Sequence, residues 1–238
     1  MQSTPLPALI LAGLLPFGAA HAQDSPPPPD LMAFARGVLP VAIDSGGADL
    51  RVTPIQAIAA IDGSLVGFVM TPRFGAPTDA VEITYALPAP TRFDRFAVPN
   101  VLETPSPSQS FFRDVEVLGS ASAPDGPFVP LAAGRLRAHG ERGQVSELTL
   151  APEQPEVLWV KLRLSGGLDI QAEKTFFEFT EIIGNGSQEA APLSERFSGV
   201  WEGRGVDIEL AQEGAAVTGC YDGESRMTGT VDGTVLRG

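Results

Sequence analysis

From Ala80 to Ile183 the apolar residues fall on alternate positions in short runs. Turn-forming residues separate the runs about every eight to twelve positions, and no interior stretch keeps an apolar period of about 3.6. This limits the chain to many short strands that bury one face each. Val81, Ile83, Tyr85 and Leu87 share a face opposite Glu82 and Thr84. In Phe93–Val101, Phe96 and Val98 share a face and Pro99 marks a strand end or an edge. Val115 and Val117 oppose Asp114, Glu116 and Leu118; the Pro124-Asp125-Gly126-Pro127 turn follows, and Phe128 and Leu131 resume the pattern. Val145–Leu150 alternates again. Val157–Leu164 sets Val157, Trp159, Lys161 and Arg163 against Leu158, Val160, Leu162 and Leu164, and Phe176–Ile183 completes the set. Roughly eight such strands predict a sandwich or barrel, with Val115, Val117 and Phe128 in one core.

The N-terminal region has a different character. Leu6–Ala20 is an apolar run interrupted by Pro16, short for a membrane span, and Ala20-His21-Ala22 fits a small-x-small cleavage site. Residues 1–22 are therefore expected to be a signal peptide, although Met1–Pro5 carries no Lys or Arg. Export places the mature chain in the periplasm, the outer envelope or the medium. Residues 23–37 contain four consecutive prolines, Pro26–Pro29, and predict a stiff linker. Val38–Ile43 predicts a first strand and Leu65–Met70 a buried one; Ile55–Ile61 fits a short helix or a buried strand equally well. The sandwich is expected to span 38–184, and Gly184–Ser194 opens a second linker over 185–196.

Beyond it, the apolar runs Ile208–Leu210, Val217–Tyr221, Met227–Val231 and Val235-Leu236 recur between glycines, after Phe197–Gly203. They predict a small β-meander over 197–238. Four or five strands fall short of the roughly eight that close a small barrel. The chain also stops directly after a strand, so the expectation is a partial barrel in a piece of a longer protein.

Five stretches, in order, resemble the discoidin or coagulation-factor type C family of galactose-binding-like jelly rolls. They are Val81–Leu87, Phe93–Val98, Val115–Val117 with Ser120 or Ser122 and then Asp125-Gly126-Pro127-Phe128, Trp159–Leu164, and Phe177–Gly184. The resemblance covers about residues 80–184. It implies an all-β, antiparallel jelly-roll β-sandwich that binds sugars, phospholipid headgroups or proteins through loops at one end, with calcium in some members. The family's frequent terminal disulfide and its N-terminal block are missing here, and its ligand loops do not match, so no binding residue carries over. Gly199-x-Trp201-x-Gly203 and Gln212-x-Gly214-x-x-Val217-x-Gly219 look like the start of a lipocalin-like barrel. Such modules behind a signal peptide resemble bacterial envelope proteins, some of which carry an OmpA-type domain; that domain is not in this sequence.

Charge and residue supply narrow the function. The net charge of -13, with only Lys161 and Lys174 as lysines, disfavours nucleic acid and anionic lipid as partners. A single cysteine, Cys220, rules out an internal disulfide, and two histidines, His21 and His139, leave little for zinc or for a Ser-His-Asp triad. No nucleophile elbow, dinucleotide fingerprint or phosphate loop occurs. The expectation is a protein that is not an enzyme.

Arg73 and Phe74, on a Pro/Gly loop, could stack on and hydrogen-bond a sugar. Arg135, Arg137 and His139 form a basic cluster able to receive an anion. Asp44 and Asp49 flank Ser45-Gly46-Gly47 and could contribute to a Ca²⁺ site, the one cofactor the residues suggest. Ser122, Asp125 and Gly126 read as turn chemistry rather than as ligand contacts. Trp159 and Trp201 are expected in the core, and Cys220 as a small buried hydrophobe. The combined reading is a non-catalytic binding or adhesion module of the bacterial envelope that recognises carbohydrate or another cell-surface ligand. The alternatives are an anchoring segment of an OmpA-like outer-membrane-associated protein and an accessory domain of an exported hydrolase.

Overall fold

The computed structural model of the protein describes residues 28–44, 52–70, 80–100, 109–137, 144–166, 176–190, 192–194, 197–202, 207–221, 223 and 225–238. A short 3-10 turn, Phe34–Arg36, leads into β1 (Leu39–Asp44), α1 (Pro54–Ala59), β2 (Phe68–Met70) and β3 (Val81–Pro99). Then come β4 (Gln109–Phe111), β5 (Asp114–Ser120), β6 (Val129–Arg135), β7 (Val145–Glu147), β8 (Thr149–Leu150) and β9 (Val157–Ser165). β10 (Phe176–Phe179) and β11 (Ile183–Gln188) finish the first unit; β12 (Gly199–Glu202), β13 (Asp207–Glu213), β14 (Ala216–Tyr221), β15 (Ser225–Asp232) and β16 (Val235–Arg237) make the second. The chain forms the antiparallel β-sandwich and meander that its alternation predicts.

β3 is the organising strand. The two separate strands expected at 80–87 and 93–101 are one strand of 19 residues. Its first half pairs with β1 and β9, and its second half with β11 and β7. The ladder to β9 skips from Ala86 to Thr91, over Pro88 and Pro90. Proline has an extended-compatible φ but no N–H to give a ladder. The strand therefore continues through Pro88-Ala89-Pro90 while changing partners. The resulting sheet has eight strands, along β1-β3-β9-β5-β6-β8 with β7 and β11 also on β3.

A three-stranded sheet, β2-β10-β4, accompanies it; its β10–β4 pair is parallel, the exception to an otherwise antiparallel arrangement. One core joins the two sheets. Val81, Ile83, Tyr85, Phe93 and Phe96 of β3 pack in the same cluster as Phe112, Val115, Val117, Leu162, Phe177 and Phe179. Phe112 stacks on Phe177 at 5.3 Å between centroids and meets Phe179 edge-on at 6.5 Å. Each such aromatic pair adds about 0.5–1.5 kcal/mol beyond the area it buries. On the outer face Glu82, Arg163 and Glu116 stand in register across β3, β9 and β5. Arg163 meets Glu82 at 3.2 Å and Glu116 at 3.0 Å, and Lys161 meets Glu82 at 2.9 Å. These half-buried pairs fix the register more than they add stability, because a one-residue slip would turn them into the core.

Several boundaries differ from expectation. The 55–61 ambiguity resolves as helix: Gln56 N donates to Thr53 Oγ1 and Thr53 N to Gln56 Oε1, a capping box with Pro54 in the first turn. β2 begins only at Phe68, and Leu65 and Val66 are exposed because they precede the pairing with β10. Val145–Leu150 is two short strands split at Leu148, with Val145 at an exposed end.

Neither expected linker holds to its full length. Leu31 and Met32 are buried in the core; Leu31 N donates to Gly184 O, and Asp30 Oδ1 accepts from Met32 N and Gly184 N. Likewise Ile183–Gln188 is β11, paired with β3. Its glycines resemble linker composition but serve close approach: a Cβ on Gly184 would lie 2.7 Å from Phe93 Cε1 and 2.8 Å from Met32 Cγ. Phe128 is half-buried and not in the core, because the turn lays its ring against Lys161 Nζ, 4.6 Å from the centroid.

The C-terminal sheet runs β12-β13-β14-β15-β16 in simple antiparallel order and, among the described residues, does not close into a barrel. Its small core is Leu210, Val217 and Val231. Trp201 is 47% exposed on the edge strand β12, and its Nε1 donates to Phe197 O. Cys220 is a half-buried free thiol in β14, with Glu209 and Arg226 as its cross-strand neighbours. The sheet touches the sandwich through Arg237 Nη2, which donates to Ala35 O at 2.6 Å.

The Gly184 packing predicts that Gly184→Ala destabilises the protein by about 1–3 kcal/mol in urea unfolding; a linker glycine would be neutral. Glu181 gives a pH signature. Its carboxyl is buried and accepts from Gly63 N at 2.7 Å. Burial pushes its pKa up from 4.5 to about 7, against the lowering effect of that hydrogen bond, with the Asp30 and Asp62 carboxylates adding to the rise. Folding thus stabilises the protonated acid. The contribution is fully present below about pH 4.5 and is lost as pH rises through about 7. Glu181→Gln is expected to raise stability at pH 8 by about 2 kcal/mol and to reduce the loss between pH 4.5 and 8, measured by unfolding at both pH values.

Candidate functional site

The β5–β6 turn and the β8–β9 connection wall a cavity of about 690 Å³ at one end of the large sheet. The turn is rigid for local reasons. Ser120 Oγ accepts from Ser122 N and Ala123 N, each at 3.3 Å, and Gly126 N donates to Ala123 O. Gly126 has φ +102°, which only glycine adopts without strain. Ser122, Pro127 and Pro130 face the cavity from this side.

The opposite wall is Pro152-Glu153-Gln154-Pro155-Glu156. Two prolines limit its backbone freedom. Gln154 Nε2 bridges Leu131 O at 2.8 Å and Ala151 O at 2.9 Å, and Ala151 N also donates to Leu131 O. The loop is thereby tied to β6. Pro152, Pro155, Glu153 and Glu156 line the cavity, and Gly119 and Val157 lie at its strand-end side. The walls are largely apolar; among the described residues Glu153 and Glu156 are the charged ones on them, and both are exposed. The arrangement can take a compact ligand with an apolar face and a hydrogen-bonding edge.

Of the candidate ligand residues singled out from sequence, the described ones, Asp44, Arg135 and Arg137, do not line this cavity. Arg73, Phe74, His139 and Asp49 lie outside the described residues. Arg135 is exposed, 3.9 Å from Asp114, and Arg137 is exposed with its backbone N held by Ser146 Oγ at 3.3 Å. Asp44 ends β1, away from the cavity walls. Trp159 is half-buried on β9 rather than in the core, on the same side as Lys161 and Arg163. Among the described residues no group of three or more His, Cys, Asp or Glu is placed to hold a metal, and no helix is long and apolar enough to cross a membrane.

The turn at Ser122–Pro127 does have the chemistry read from sequence, but it also walls the cavity. The 151–156 wall was missed; its signal is the Pro-x-x-Pro spacing with flanking carboxylates immediately before a strand.

No family model matches this chain, and no curated protein matches it. Similar solved structures include the family 32 carbohydrate-binding module of Clostridium perfringens NanJ in complex with galactose. It is 14% identical, with 62% of this chain and 98% of that one covered and a TM-score of 0.39. A chitosan-binding module from a chitosanase/glucanase of Paenibacillus sp. IK-5 is 11% identical, covering 66% and 98%, with a TM-score of 0.42. Allantoicase from Saccharomyces cerevisiae is 15% identical, covering 68% and 45%, with a TM-score of 0.45.

Gln154→Ala is expected to cost about 1–2 kcal/mol and to speed amide exchange at Glu153 and Glu156 with little change in the β3–β9 ladder. Unchanged exchange on the loop would contradict its bracing role.

Proposed function

We propose that this protein is an exported, non-catalytic binding module that takes carbohydrate in the cavity between the β5–β6 turn and the 151–156 loop. The observation that carries the reading is the pairing of a proline-lined apolar wall with a narrow polar rim in a cavity of about 690 Å³. That volume is in the ordinary range for small-ligand sites. A pyranose has the complementary chemistry, with C–H groups on one face and hydroxyls around the edge. The prolines supply the apolar contact; Ser122, Glu153 and Glu156 supply acceptors. Both walls are braced before a ligand arrives, which keeps the ordering cost of binding low.

Non-catalytic binding fits the placement of the two carboxylates. Glu153 and Glu156 come from one loop, whereas glycoside hydrolysis needs two carboxyls flanking the scissile bond. Export rests on the signal-like segment 1–22 and suits a ligand of the cell surface or the medium.

An NMR titration of the ¹⁵N-labelled protein with neutral oligosaccharides of galactose, glucose and N-acetylglucosamine tests the reading. Saturable shifts are expected at amides in 119–130 and 151–157 for at least one of them. Shifts confined to other surfaces, no shifts with any sugar, or hydrolysis of the sugars would overturn it. For export, N-terminal sequencing of the mature protein is expected to begin at Gln23; a mature chain that retains Met1–Ala22 would contradict it.

A further inference from the structure

We infer that the cavity selects an amine-bearing ligand, a sugar with a protonated amino group, over its acetylated or carboxylated counterpart. The inference rests on the cavity being the carbohydrate site and concerns the charge class of what enters it.

On the sheet, Glu82 pairs with Lys161 and Arg163, Glu116 with Arg163, Glu147 with Arg95, and Asp114 with Arg135, while Asp94 on β3 has no ion pair among the described residues. Glu153 and Glu156 have no ion-pair partner among the described residues, and no Lys or Arg lines the cavity with them. Lys161, on the adjoining strand β9, is occupied by Glu82 and the Phe128 ring.

The two free carboxylates stand three positions apart on a loop held by Pro152, Pro155 and the Gln154 bridges. The backbone that carries them is therefore held without a counter-ion. Beside them the wall is apolar, which lowers the local dielectric and lengthens the reach of each charge. A cation resting on the prolines would meet two negative groups and no positive one; an anion would meet only repulsion. The chain's net charge of -13 acts in the same direction at longer range. Sugar hydroxyls can use the carboxylates as hydrogen-bond acceptors, but only an ammonium group also uses their charge.

The experiment compares a glucosamine oligomer with the N-acetylglucosamine oligomer of the same length and linkage at pH 6, by NMR titration and calorimetry. Acetylation keeps the ring and removes the charge. The amine form is expected to bind about fivefold or more tightly, with shifts at 119–130 and 151–157, and the advantage is expected to shrink as salt rises.

The double variant Glu153→Gln/Glu156→Gln is expected to bring the two oligomers within about twofold of each other. Asp94→Asn/Glu213→Gln removes two charges at exposed positions outside the cavity and is expected to keep the preference. Equal affinities at the cavity, or tighter binding of a uronic-acid oligomer, would overturn the charge selection while leaving the carbohydrate site standing. A preference lost equally in both double variants would assign it to overall charge and overturn it too. No cavity shifts with any oligomer would overturn the site itself.

Discussion

The continuity of β3 through Pro88-Ala89-Pro90 is the constraint on which the sandwich depends. One strand of 19 residues supplies partners to β1 and β9 before the prolines and to β11 and β7 after them. Its apolar residues from both halves, Tyr85 and Phe93 among them, enter the same core. Because proline donates no ladder bond, the exchange of partners leaves no buried N–H unsatisfied at Pro88 or Pro90. The order β3-β9-β5-β6 follows outward from this strand, and it places the β5–β6 turn and the entry to β9 side by side. The cavity is a consequence of that adjacency.

The parts of the fold that could be read from sequence are those where burial alternates. Val81, Ile83 and Tyr85, and Val115 and Val117, are buried as their spacing predicts. Errors came where composition stood for conformation. The gap between the runs Val81–Leu87 and Phe93–Val101, with Pro88 and Pro90 in it, is strand; Gly184–Gly186 look like a linker and are β11. Glycine there answers to Phe93 and Met32, which no local pattern reveals. Phe128 continued the apolar alternation on paper, but the intervening turn re-aims it onto Lys161. Trp201 was expected in a core that a single-layer sheet does not supply at its edge strand.

The candidate site was less legible for a related reason. Its walls come from segments about 25–30 residues apart in sequence, joined by strand pairing rather than by any motif. Loop residues carry the chemistry while strands set their distance. Arg135 and Arg137, basic residues that sequence alone made prominent, do not line this cavity. What does is prolines and two unpaired glutamates, residue types that sequence inspection assigns to linkers and solvent.

A crystal structure of the protein with a bound glucosamine oligomer would test the central claim most directly. The sugar ring is expected to lie between Pro127 and Pro130 on one side and Pro152 and Pro155 on the other, with its amine toward Glu153 and Glu156. A ring seated on another surface, or one in the cavity with its amine turned away from both glutamates, would contradict it.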